Sequence, residues 1–212
     1  IKGFCKLASA AGCRYAWIDT CCINKANSTE LSEAINSMYR WYHESKLCIV
    51  YLEDVPHRKM MDSEWFNRGW TLQELISPNS VSFFDHDWNP IGTKAEYLAE
   101  LSCKTGIPES VLSHTARPSS CSVAQRMSWA AKRVTTRVED TAYSLMGLFG
   151  VSMEMTYGER ENAFVRLQLS IIQQCKDESI FAWAMDPFDN GRPYSGLFAS
   201  SPSLYADCEG VV

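Results

Sequence analysis

YAWIDTCCINKANSTELSEAINSMYRWYHESKLCIVYL (residues 15–52) decides the fold class, because its hydrophobic period changes twice along its length. YAWIDTCCI (15–23) opens as a short apolar strand and NKANST (24–29) is a polar loop. Asn27 and Glu30 stand at capping-box spacing ahead of a helix whose Leu31, Ile35, Met38, Tyr39 and Tyr42 share one face. LCIVYL (47–52) then reads as a buried strand. Upstream, KGFCKLASAAG (2–12) reads as a helix ended by Gly12. Downstream come a loop with Pro56, a helix over 64–76, a strand VSFFD (81–85), and a helix over 94–104 closed by Gly106 and Pro108.

Alternation of strand and helix predicts βαβ units, an α/β domain over 1–110 built on a parallel sheet flanked by helices. Three strands make a thin sheet, so an opening strand is expected upstream of Ile1. The second half changes period. SVAQRMSWAAKR (122–133), VEDTAYSLMGLF (138–149) and GERENAFVRLQLSIIQQC (158–175) are all helical, which predicts a mainly helical extension over 111–184 packed on the first domain. SIFAW (179–183) reads as a short strand, and 185–212 as a loop-rich tail.

A hydrophobic fraction of 46% with 12% aromatics excludes a disordered chain, and 212 residues suffice for a sizeable core. No apolar run approaches the length of a membrane span, and no leader is visible, so neither membrane insertion nor secretion is expected. The net charge of −5 argues against nucleic acid as a partner, and Lys132, Arg133 and Arg137 read as a solvated basic cluster. Nine cysteines without a CxxC pair fit reduced thiols in a cytoplasmic protein better than a zinc site or a disulfide framework. Four histidines without i,i+4 pairing predict no metal, and no glycine-rich phosphate loop is present.

In open parallel sheets ligands bind beyond the carboxyl ends of the strands. That rule singles out Asp19 and Thr20, Glu53 and Asp54, and Asp85, each with the plainer alternative of capping the next helix. NRGWTLQEL (67–75) lies on the same rim. Trp70 and Glu74, four apart, share a helix face, and an indole beside a carboxylate would raise its pKa for acid–base work or ribose contact. The competing reading is an ordinary solvated glutamate. A thiol nucleophile at Cys21 or Cys22 lacks a recognisable histidine partner.

The 15–55 stretch followed by EWFNRGWTLQEL (64–75) resembles the heterokaryon incompatibility (HET) domain of fungi, with Trp65, Arg68, Trp70, Thr71, Gln73 and Glu74 in register. TTRVEDTAYSLMGLFGVSMEMTYGERENAFVRLQLSII (135–172) resembles the extension that often follows, so the likeness covers most of residues 1–184. The family's usual opening strand segment is absent. The resemblance implies a role in nonself recognition that ends in cell death. It also implies a likeness to TIR domains, whose flavodoxin-like fold carries a helix motif that GWTLQEL matches without a gap. Carried over, Glu74 becomes the glutamate of NAD-cleaving members. Trp70, Asp19, Arg68, Asn24 and Thr71 become substrate-binding residues, with NAD as substrate rather than cofactor. Self-association and upstream sensor domains or proteins are the implied partners. A non-catalytic oligomerising adaptor is the alternative.

Overall fold

The computed structural model describes residues 1–184 and 196–212. Helix α1 (Lys2–Ala10) leads to an extended segment and a single helical turn, α2 (Asp19–Cys22). The long helix α3 (Ser28–Glu44) starts where Asn27 accepts hydrogen bonds from the amides of Thr29 (3.1 Å) and Glu30 (3.2 Å). Glu30 reaches one loop further back than a capping box requires, accepting from the Asn24 amide at 2.8 Å. Strand β1 (Cys48–Tyr51) is followed by a 3-10 turn over Glu64–Asn67, helix α4 (Thr71–Ile76) and strand β2 (Val81–Phe84). β1 and β2 pair in parallel, Cys48 opposite Val81, so α4 sits in a β–α–β crossover.

The sheet departs from the all-parallel expectation. Strand β3 (Pro90–Thr93) returns antiparallel along β2, giving a mixed sheet in the order β1-β2-β3. The cause is local: Asp85 accepts from the amides of Asp87 (2.9 Å) and Asn89 (2.8 Å), and Trp88 turns through a positive φ of 67°. Residues read as a polar loop after a final strand thus form a hairpin.

Two other strand expectations are overturned. YAWIDTCCI forms no strand: Ile18 is extended but pairs with nothing in the sheet, and its amide instead approaches Cys22 Sγ at 3.5 Å. Trp17 is drawn against α3, with ring centroids 5.3 Å from Trp41 and 5.9 Å from Tyr42, and Ile23 buries beside Ala34 and Met38. Aromatic burial against a helix has outcompeted β pairing. SIFAW is likewise a 3-10 turn, Glu178–Phe181, rather than a strand.

Helices α5 (Leu98–Thr105), α6 (Glu109–Leu112), α7 (Val123–Ser128), α8 (Asp140–Tyr143), α9 (Met146–Phe149) and α10 (Asn162–Gln174) complete the described chain. Several are shorter than their periodic stretches suggested, broken by turns that one shared core enforces. That core runs from Ile35 through Val50, Leu75 and Phe83 to Tyr143 and Tyr205. Of the tail, 185–195 lie outside the described residues. Residues 196–212 carry a single 3-10 turn, Pro202–Tyr205, and are anchored by it: Tyr205 is fully buried and donates to the Ile180 carbonyl at 2.5 Å.

Candidate functional site

The turn that presents Glu74 is built from both halves of the chain. Thr71, buried at the start of α4, places its hydroxyl 2.5 Å from the Trp65 carbonyl and 2.8 Å from that of Arg68. Arg133 donates to the same hydroxyl (2.9 Å), to the Arg68 carbonyl (3.0 Å) and to the Trp129 carbonyl (3.2 Å). Two backbone bonds, Gly69 N–H to the Val134 carbonyl (2.8 Å) and Val134 N–H to the Asn67 carbonyl (2.7 Å), fasten this turn to the segment after α7. Glycine at 69 also lets Thr135 lie close, since a Cβ there would fall 2.4 Å from Thr135 Cγ2 and push that side chain aside.

Glu74 projects from this turn into partly buried surroundings. Burial pushes its carboxyl up to about 7 from 4.5, and the Asp19 carboxylate adds to the rise. The Arg68 guanidinium, the Tyr42 hydroxyl and the Trp65 indole N–H favour the charged form, but desolvation outweighs them. Neighbouring groups feel the same carboxylate. Tyr42 is held well above its ordinary range by burial and then by Glu74, while burial lowers Arg133 to about 10 against the opposing pull of Glu74. Glu74 is therefore a carboxylate that sits half-protonated near neutral pH, with Arg68, Arg133 and Asp19 in its field.

The other residues singled out in the sequence divide. Asp19 is exposed on α2, 3.8 Å from Lys25 Nζ, and Arg68 is exposed above α4; these two accompany Glu74. Asn24 is exposed, and its Oδ1 accepts from the Ala26 amide (3.2 Å) while its own amide binds Glu30. Thr71 is buried and internally bonded. Trp70 packs between two apolar clusters, its indole turned toward the Asp140 carboxyl. Asp54 follows the plainer alternative, accepting from Ser63 Oγ (2.6 Å) and the Glu64 amide (2.8 Å) at the start of the 3-10 turn, whereas Asp85 follows neither reading: it caps no helix and shapes the β2–β3 hairpin. Tyr42, Trp65 and Arg133 entered the site unannounced. Tyr42 lay on the apolar face of α3, and nothing in the local pattern of KRVTTR tells a tethered arginine from a solvated one.

A cleft of about 560 Å³ lies between β2, β3 and Tyr97, and one of about 400 Å³ between Arg126, Phe149 and the end of α10. Glu74 lines neither. Among the described residues no group of three or more His, Cys, Asp or Glu side chains is arranged to hold a metal ion, and no helix is long and apolar enough to cross a membrane.

Comparison with known proteins supplies the lineage. The family model described as Heterokaryon incompatibility protein (HET) matches residues 1–59, which include α1 to β1 and the site residues Asp19 and Tyr42. The vegetative incompatibility protein HET-E-1 of Podospora anserina is 46% identical over 173 residues, covering 76% of this chain. The chain belongs to the heterokaryon incompatibility family. An alignment of that coverage necessarily crosses the middle of the 212-residue HET chain, α4 included. The chain spans only 13% of the length of HET-E-1. No solved structure matches this HET chain.

Proposed function

We propose that this HET chain is a cell-death-inducing module of vegetative incompatibility, TIR-like in fold, that cleaves NAD at the nicotinamide–ribose bond with Glu74 as the reacting carboxylate. The reading rests on one observation above others: a carboxylate held in a β–α–β crossover, its pKa raised to about 7 by burial. Loss of neutral nicotinamide leaves positive charge on the ribose C1–O bond. A carboxylate facing that charge stabilises it, and water then adds at C1, giving ADP-ribose, nicotinamide and a proton. Arg68 and Asp19, flanking Glu74, are the groups suited to the diphosphate and the ribose hydroxyls respectively. The module acts in the cytoplasm and is triggered through self-association driven by a sensor.

Internal commitments of Thr71, Asn24 and Trp70, and the absence of Glu74 from either cleft, favour a second reading in which the same turn serves a non-catalytic oligomerising adaptor. Expression of wild type and Glu74→Gln with NAD assay and viability counts separates the two. The catalytic reading expects wild type to deplete NAD and kill, and the variant to do neither. Killing by wild type with NAD intact establishes the adaptor instead.

A further inference from the structure

Arg126, in the middle of α7, is 7% exposed, yet among the described residues no carboxylate lies within 4 Å of it. Its guanidinium makes two long contacts, Nε to the Ser122 carbonyl at 3.4 Å and Nη1 to the Leu148 carbonyl at 3.5 Å, and rests over the Phe149 ring at 4.6 Å. Two of its five N–H donors are thus weakly engaged, and the other three bind nothing among the described residues and face open space. Asp177, whose field reaches the guanidinium, is occupied elsewhere: it accepts from the amides of Val123 (2.7 Å) and Ser179 (3.0 Å). Burial lowers the Arg126 pKa, the direction expected of a cation short of counter-charge. A buried arginine in this condition ordinarily finds an anion.

Space for one is present. Arg126 opens onto the cleft of about 400 Å³, whose wall is apolar at Phe149 and Ile171 and polar at Ser119, Gln174 and Asp177, the last with both carboxylate oxygens bonded to the Val123 and Ser179 amides, and Lys176 is exposed at the rim. We propose that the cleft between α7, α9 and α10 binds a small molecule carrying an oxyanion, a phosphate or a carboxylate, on an apolar body. Arg126 receives the anion, Lys176 closes over it, and Phe149 and Ile171 take the apolar part. The site stands apart from Glu74 and does not depend on NAD cleavage.

Isothermal titration of the folded chain at low salt with phenyl phosphate, benzoate and inorganic phosphate tests it. Saturable binding of at least one aromatic oxyanion, tighter than inorganic phosphate, is expected. Arg126→Met keeps the alkyl stem against Phe149 and weakens binding about tenfold or more, the loss of charge-assisted hydrogen bonds. Lys176→Glu, at an exposed position that folding tolerates, weakens it about threefold to tenfold and decides the matter should Arg126→Met not fold. Tighter binding of phenyl phosphate assigns the ligand to phosphates, and of benzoate to carboxylates. Absence of saturable binding to wild type, or binding to both variants as tight as to wild type, overturns the site.

Discussion

Glu74 gains a proton more readily when the chain folds, and that makes folding depend on pH. Its folded pKa of about 7 lies above the ordinary 4.5, so between those values the folded state holds more protons than the unfolded one. Stability from this group therefore falls as pH climbs from about 4.5 to about 7 and is level above. The penalty is about 2 kcal/mol once solvent still reaching the carboxyl is discounted. Glu74→Gln, which cannot ionise, should then melt about 5 °C above wild type at pH 8 and at nearly the same temperature at pH 5. Equal melting curves at pH 8 would show that Arg68 and Arg133 fully compensate the buried charge. Under the proposed function this destabilisation is the cost at which the site keeps its carboxylate. At this scale the sequence was legible where the relevant partner is near in the chain. The Asn27 cap needed only a few neighbouring letters, whereas the indole expected beside Glu74, that of Trp70, turns to Asp140, and the one that reaches Glu74 is Trp65. Tyr42 and Arg133 act on Glu74 from distant segments, and no local spacing reports that.

Elements were legible where their own residues decide the matter. VSFF is buried at three of four positions and became a strand, and the stripe on residues 31–42 became α3. YAWIDT carries strand-forming residues but found aromatic rings on α3 before it found a neighbour in the sheet. The β3 hairpin was hidden because its turn depends on Asp85 bonding rather than on a glycine signal. Helix packing gives the prediction that belongs here. α3 and α9 approach so closely at Gly147 that a Cβ there would stand 2.1 Å from Tyr39 Cβ, an atom that cannot swing aside. Gly147→Ala should lower unfolding free energy by about 3 kcal/mol in urea titration, through separation of the two helices. Gly150→Ala adds a Cβ that meets nothing, but strains a left-handed φ of 69°, and should lose only about 1 kcal/mol. The opposite ranking would mean that α3 and α9 adjust freely.

On the scale of the whole molecule, the periodic change near residue 110 marks a change of secondary structure within one shared core. Val50, Leu75 and Phe83 belong to the same apolar cluster as Met127, Tyr143 and Phe164. Gln168 seals the far end, bonded to both the amide (3.0 Å) and the carbonyl (2.9 Å) of Ala199. A chain cut after residue 110 should accordingly lack a cooperative urea transition, whereas the intact chain should show a single one by fluorescence and circular dichroism alike. An independently folding fragment would mean that the two halves touch without depending on each other. The backbone bonds of Val134 to Asn67 and Gly69 carry this dependence to the site itself. Under the proposed function, alleles altering Arg133, whose guanidinium ties the turn through the Arg68 carbonyl and the Thr71 hydroxyl, should therefore lose activity together with alleles altering Glu74.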